Sequence, residues 1–452
     1  MAQNVIAVFD VGKTNKKIIL FDESLNLVYQ EEITISEVTD DDGFACDDVE
    51  KFIDWMKYTL ENIIKNDEYN VTALNFSTYG ATLVFLQETG ELAAPVYNYL
   101  KPMPEGTLDG FYEKYDGVEE FSRKTASPAL DMLNSGIQII YLKKNKPEMW
   151  NKTRSIVHFP QYLSYLFTKK VVSEYTSIGC HTALWDFDEK KYHNWLADNG
   201  IKLPVPVSNQ TTFNCNVFGK EIKVGIGIHD SSASLVPYLK VAQGKKFILI
   251  SSGTWAINMN PFSKDSLTAE QLQKDCLCYL SVDQKQVKAS RLFMGHIHDV
   301  NAQKLSEIYK VAEDEFKRVK VDREKLKVML SKYQMKLFPK GIPGNFMADI
   351  SVLNDFSNYS DAYHHLMCEL SIIEAECIKL ALDKEDDTES IYISGGFVKN
   401  EIFTSIIASV FSNKEVFTAE IYNSTALGAA MALSENVQNG DIDMELHRCS
   451  GI

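Results

Sequence analysis

The stretch Val5 to Leu20, VIAVFDVGKTNKKIIL, reads as an apolar strand, a polar turn and a second apolar strand, and the shape recurs once, at Phe247 to Met259, FILISSGTWAINM. In the first copy the strand delivers Asp10 to the turn, Gly12 lets the backbone approach a ligand closely, and Thr14, Asn15 and Lys16 crowd polar groups into the bend. In the second the turn is Ser251-Ser252-Gly253-Thr254. Two such hairpins can face each other across a cleft and offer backbone N–H groups and hydroxyls to a polyphosphate. A length of 452 residues with 45% apolar content exceeds what one core usually organises, so two domains are expected.

A formal charge of -16 argues against a general nucleic-acid or anionic-membrane surface. No charged leader with an apolar run and cleavage site opens the sequence, and no stretch approaches a spanning helix, so the expected location is cytoplasmic. The eight cysteines are scattered; Cys276-Leu-Cys278 is the close pair and reads as free thiols on a strand.

The first half reads as mixed α/β. An acidic run, Asp40 to Asp48, is expected to be a solvated loop leading into a helix from about Val49, with Phe52, Met56, Leu60 and Ile63 on its core face. The strand Val71 to Phe76 ends at Ser77-Thr78-Tyr79-Gly80, where polar side chains can meet a small polar ligand or close a plain hairpin. Asn98, Tyr99 and Lys101 lie in a connection bounded by prolines, PVYNYLKP. The segment Val224 to Ser234, VGIGIHDSSAS, ends a glycine-bearing strand at Asp230 and starts a helix. Asp230 either caps that helix or stands as an exposed carboxylate able to take a proton. His229 is not paired with it, because adjacent strand residues point to opposite sides.

The polar segment Lys240 to Lys246 is the expected domain crossing, giving domains 1–240 and 241–452. Further on, His296, His298 and Asp299 lie close in sequence; read as a strand, the two histidines share a face, but a full metal ligand set is not evident. The strand Ser390 to Ser394 runs into Gly395-Gly396, which lacks the spacing of a dinucleotide loop, and no Walker phosphate loop occurs.

Taken together, DVGKTN at Asp10 to Asn15, GIHDSSAS at Gly227 to Ser234, SSGTW at Ser251 to Trp255, SGGFVKN at Ser394 to Asn400 and STALGAAMAL at Ser424 to Leu433 resemble the FGGY carbohydrate kinases of the actin-like ATPase superfamily, in the family's order and over nearly the whole chain. The resemblance implies an α/β fold of two ribonuclease-H-like domains flanking a central cleft. It implies ATP and Mg²⁺ as cofactors, a small-molecule sugar as substrate, and no nucleic-acid or membrane partner; homodimers are common in such families. On that pattern Asp230 is the base, and Asp10 holds Mg²⁺. Gly12, Lys13, Thr14, Asn15, Gly253 and Thr254 cradle the phosphates, and Gly395, Gly396 and Asn400 meet the adenosine. Thr78, Tyr79, Asn98 and Asp230 face the sugar.

The HDSSAS and SSGTW forms look most like the L-rhamnulose and L-fuculose kinase branch, implying a ketose or deoxyketose. The chain departs from that branch at three places. Lys13 stands where a small or hydroxyl residue is common, and either contacts a phosphate or pairs with an acid. STYGAT lacks an acid near Thr82, and Tyr99 and Lys101 replace a usual aspartate and arginine. A pentulose kinase for xylulose or ribulose, a catalytically silent sugar-binding regulator, and a chaperone or filament ATPase on the same fold are the alternatives. The intact Asp10, Asp230 and Gly253-Thr254 argue against the regulator, and the sugar-side segments against the last.

Overall fold

The computed structural model describes residues 2–332, 334–353, 355–433, 442 and 444–452. Its first sheet is built on the strand Gln3–Val11, which pairs antiparallel with Asn15–Asp22 and parallel with Tyr69–Thr78. Along that strand Val5, Ala7, Phe9 and Val11 turn to one side, into the core formed with Phe52, Met56 and Leu60 of the helix Val49–Lys65. Val8 turns to the other side, against Ala233, Ala429 and Ala430. A strand covered on both faces is apolar throughout, which is why the opening run does not alternate. Asp48 starts the helix, its carboxylate accepting a hydrogen bond from Lys51 N at 3.0 Å.

The sheet runs in the order Thr212–Val217, Lys220–Gly225, Tyr69–Thr78, Gln3–Val11, Asn15–Asp22, Leu27–Thr34, with Ile228–His229 also laid parallel on Tyr69–Thr78. The second sheet repeats the plan. Phe247–Ser252 pairs antiparallel with Ala256–Asn260 and parallel with Ser390–Gly395, and the order is Cys276–Leu280, Gln286–Leu292, Ala256–Asn260, Phe247–Ser252, Ser390–Gly395, Glu415–Glu420, Glu445–Arg448. No strand is shared between the two sheets. Among the described residues no helix is long and apolar enough to cross a membrane.

The two sheets are joined by a pair of helices, Asp230–Val241 and Ser424–Met431. Their contact is made by small residues: a Cβ on Gly428 would sit 1.9 Å from the carbonyl oxygen of Ala233. Asn75, on the strand Tyr69–Thr78, adds an amide hydrogen bond to the carbonyl of Ala429 at 2.7 Å. The joint is therefore tight and specific, and it lies directly behind Asp230.

Two expectations change here. The acid run is solvated only in part: Asp41 and Asp42 are exposed, but Asp40 is buried and meets Lys101 at 2.6 Å, Asp41 meets Lys146 at 2.6 Å, and the hydroxyl of Tyr141 donates to Asp42 at 2.5 Å. The cations that neutralise the run come from segments far along the chain, which local reading does not reach. His296 and His298 lie on a helix, Met294–Tyr309, so they do not share a strand face. A glycine at the second position, and a start separated from the strand Gln286–Leu292 by Phe293 alone, hide the helical period.

Candidate active site

The strand ends bring the acids together. In the first sheet Asp10 lies opposite Ser77, and Ser77 opposite Ile228; one residue on, Val11, Thr78 and His229 form the next row. The chain then leaves the sheet and Asp230 opens its helix, so both carboxylates stand at the same sheet edge. Burial and the neighbouring charge of Asp230 push the Asp10 carboxyl up to about 7, against the pull of Lys17. A buried carboxylate held at high energy by a second carboxylate is a site that a cation relieves, so Asp10 suits Mg²⁺.

Asp230 is 36% exposed at its side chain. Its Oδ1 accepts from Ser231 N at 2.5 Å and Ser231 Oγ at 3.2 Å, and lies 3.1 Å from His229 Nε2. The pairing with His229 overturns the strand argument. Alternation applies only while the chain is a strand, and the turn into the helix at Asp230 swings its carboxylate back beside the imidazole.

On one side of Asp230 lies a polar cluster. Lys13 Nζ is 2.6 Å from Asp47 Oδ2, the Tyr79 hydroxyl donates to the same oxygen at 2.7 Å, and buried Lys16 reaches Asp47 Oδ1 at 3.3 Å. Lys13 also lies 5.6 and 5.7 Å from the ring centres of Tyr79 and Tyr99. Of the two readings for Lys13, the structure displays the acid pair. Burial raises the Tyr99 hydroxyl, Lys13 opposes this, and the charges of Asp47 and Asp230 add to it, so Tyr99 lies within the field of both acids. Thr78 is buried and donates to the Tyr79 carbonyl at 2.8 Å. Asn98 is buried with both ends of its amide engaged, Nδ2 on Ala45 O at 3.1 Å and Oδ1 on Leu100 N at 3.0 Å. Lys101 is buried beneath, against Asp40 and Asp42.

The two turns carry exposed residues. Thr14 and Asn15 are exposed, with Asn15 Oδ1 accepting from Thr34 at 3.3 Å, and Gly12 N closes its turn on Asn15 O at 2.9 Å. Gly253 and Thr254 are exposed, and Gly253 N closes on Trp255 O at 2.8 Å. A cavity of about 1320 Å³ gathers Gly253, Thr254, Gly396 and Asn400 on its wall. Gly395 leads into it with φ +85°, and a Cβ there would lie 2.0 Å from Ser252 O, so only glycine fits. The Ser252 hydroxyl ties the corner together, donating to Ser394 O at 2.5 Å and accepting from Phe397 N at 3.1 Å. The arrangement offers exposed backbone for phosphates and a roomy hollow for a nucleoside.

Residues 5–203 match the N-terminal domain of the FGGY family of carbohydrate kinases, and residues 244–440 match the FGGY C-terminal domain. The chain belongs to the FGGY family. It is 24% identical over 257 residues to a rhamnulokinase of Halalkalibacterium halodurans, covering 55% of this chain and 52% of that protein; the match thus spans about half of the relative's length. It is 21% identical over 458 residues to a gluconokinase of Bacillus subtilis, covering 93% of this chain and 85% of that protein. A solved carbohydrate kinase from Novosphingobium aromaticivorans superposes with a TM-score of 0.81 at 21% identity, covering 100% of this chain and 95% of the other. The two-sheet architecture is that of the FGGY, actin-like ATPase fold.

Several residues of this FGGY site escape a local reading of the sequence. Asp47 sits in the acid run with nothing to separate it from its neighbours. The cavity of Gly396 and Asn400 is also lined by His298, Asp299 and Tyr363. These connect in a chain: Asp299 Oδ1 to His298 Nδ1 at 2.9 Å, His298 Nε2 to the Tyr363 hydroxyl at 3.0 Å, and Asn400 Nδ2 to the same hydroxyl at 2.9 Å. Asn400 also accepts from Phe403 N through Oδ1, so its amide is fixed at both ends. The proximity of His298 and Asp299 in sequence is the available signal, and the structure places both on the wall of the cavity shared with Gly396 and Asn400.

Proposed function

We propose that this chain is an ATP-dependent sugar kinase that transfers the γ-phosphoryl group of Mg-ATP to a hydroxyl of a ketose or deoxyketose of the L-fuculose or L-rhamnulose kind, with Asp230 as general base. The observation that carries the reading is the place of Asp230: its charge acts on Asp10 on one side and on Tyr99 on the other. A carboxylate near both an acid suited to a cation and the polar cluster of Lys13, Asp47, Tyr79 and Tyr99 is positioned to take a proton from a hydroxyl bound there.

In the reaction the acceptor hydroxyl gives its proton to Asp230 while its oxygen bonds to the γ-phosphorus, and the bond from that phosphorus to the β–γ bridging oxygen breaks, releasing ADP. A positioned base contributes about 10² to 10⁴ in rate, and alignment and charge stabilisation supply most of the rest. The exposed turns Gly12 to Asn15 and Gly253-Thr254 hold the phosphates, and Gly395, Gly396 and Asn400 form the adenosine end. Asp10 would hold Mg²⁺, directly or through water, and the ion would supply positive charge against the phosphates. Thr78 and Tyr79 shape the sugar pocket, and Asn98 supports its wall through the backbone. The division at residues 240 and 241 is supported by the two sheets, which share no strand.

The test is the product. Incubating the protein with Mg-ATP and L-fuculose, L-rhamnulose, L- and D-xylulose, L- and D-ribulose or glycerol, and following new phosphate-ester signals by phosphorus NMR, should give one strong responder among the deoxyketoses. A pentulose as sole responder moves the assignment to a pentulose kinase. Silence throughout, with ATP binding intact, moves it to a sugar-binding regulator.

A further inference from the structure

We propose that His229 is a positioning residue for Asp230, acting as a doubly protonated imidazole that holds Oδ1 so that Oδ2 alone faces the acceptor hydroxyl. The inference rests on the reading of Asp230 as the base. It begins from the hydrogens. The Ser232 hydroxyl donates its single proton to Leu280 O at 2.9 Å, so toward His229 Nδ1, 3.4 Å away, it can only accept. The carboxylate of Asp230, 3.1 Å from Nε2, can likewise only accept. Nδ1 therefore faces an acceptor and keeps its proton, and Nε2, in ion-pair contact with the Asp230 carboxylate and hydrogen-bonded with Cys180 Sγ, carries a second proton when Cys180 is a thiolate.

The surroundings support that state. Cys180 Sγ lies 3.3 Å from the same Nε2. Burial alone raises a thiol, but His181 and His229 outweigh it and bring Cys180 down to about 5. Burial alone lowers an imidazole, but Cys180 and Asp230, with Glu174 further off, bring His229 up to about 9. The ring is enclosed: the edge of Tyr279 lies against it at 6.3 Å between centres, and a Cβ on Gly80 would sit 3.1 Å from it. A buried cation that cannot turn is a fixed point against which a half-exposed carboxylate can be set.

The consequence is an asymmetry within Asp230. Oδ1 is occupied by Ser231 N, Ser231 Oγ and His229 Nε2, while no donor among the described residues reaches Oδ2. Oδ2 is the oxygen free to accept the proton. Without His229 the carboxylate can rotate about its Cβ–Cγ bond, and the fraction of time that an unoccupied lone pair points at the acceptor falls.

The experiment compares His229→Leu and His229→Gln in the full-length protein with the sugar that responds best. His229→Leu should lower kcat by about 10- to 100-fold while leaving KM for sugar and for ATP within about twofold, since binding does not use the imidazole. His229→Gln, whose amide can donate to Oδ1, should recover most of the loss. Equal kcat in all three proteins overturns the proposal, as does a loss that Gln leaves unrepaired. Asp230→Asn run alongside separates the two readings: if it keeps full turnover, the base assignment itself fails, whereas an inactive Asp230→Asn with an unimpaired His229→Leu sinks only the positioning role. Should His229→Leu not fold, nitrogen-15 NMR of histidine-labelled wild type, assigned by the missing signals of His229→Gln, decides the matter. Both ring nitrogens protonated near neutral pH is the expected signature, and a neutral tautomer contradicts it.

Discussion

Gly428 and Ala233 meet backbone to backbone across the two halves of the molecule, leaving no room for a Cβ, which would lie 1.9 Å from the Ala233 carbonyl oxygen. Ala233 is on the same helix turn that begins at Asp230, so this contact sets where the base sits relative to the second sheet. Overpacking such a contact costs about 1–3 kcal/mol. Gly428→Ala should therefore lower the unfolding free energy by about that much, and should reduce kcat/KM for the sugar about tenfold because the displaced helix carries Asp230 with it. Denaturant unfolding and steady-state kinetics on the same preparation check both; an unchanged pair of values removes the joint from the account.

Gly395 carries the nucleotide prediction. Its φ of +85° and the 2.0 Å approach to Ser252 O both exclude a side chain, and Ser252 in turn holds Ser394 and Phe397. Gly395→Ala should weaken ATP binding, measured by calorimetry, by about tenfold or more, with sugar binding unaltered. Weakened sugar binding with intact ATP binding would place the nucleotide elsewhere.

Lys13 separates two assignments. It pairs with Asp47 and lies over Tyr79 and Tyr99, and none of these four residues lines the cavity that holds Gly396 and Asn400. Lys13→Ser should raise KM for the sugar about tenfold, by freeing Asp47 and loosening Tyr79, and change KM for ATP by less than about twofold. The reverse pattern would return Lys13 to the phosphates.

Glu374 gives the pH dependence. It is fully buried on the helix Tyr359–Leu380, with only a weak interaction from Asn258 among the described residues and no hydrogen bond of ordinary geometry, and burial pushes it up to about 8. A carboxyl raised on folding keeps a proton that the unfolded chain has already released, so its contribution to stability falls as pH rises from about 4.5 to about 8. Glu374→Gln carries no such penalty. The variant should melt above the wild type near about pH 8, and the gap should shrink toward about pH 5. A gap that does not vary with pH contradicts the neutral-acid reading.

What was legible in the sequence was whatever a single segment specifies. The two hairpins, the strand delivering Asp10, the turn into a helix at Asp230 and the Gly395-Gly396 corner each follow from a local pattern of apolar run, small residues and glycine, and each is present. Partnerships between segments were not legible. Asp40 reads as solvated along with Asp41 and Asp42 because Lys101 and Lys146, which pair with the three acids, lie far along the chain; only Asp40 is buried. Cys180 reaches His229 only because the helix Tyr175–Ile178 packs beside the strand Ile228–His229. The contact of His229 with Asp230 escapes a local reading for a different reason: alternation governs a strand, and Asp230 lies one residue past its end. The helix at Met294 was hidden by its opening, Met-Gly-His, whose glycine and histidine favour neither period.

Asp230→Asn is the measurement on which the account turns. The substitution keeps size and most hydrogen bonding but removes the ability to take a proton. Binding of sugar and of ATP, each measured by calorimetry, should stay within about twofold of wild type while turnover falls by about 10² or more. Turnover at the wild-type level, with binding intact, would show that the carboxylate only anchors its helix and that the proton of the acceptor hydroxyl leaves by another route.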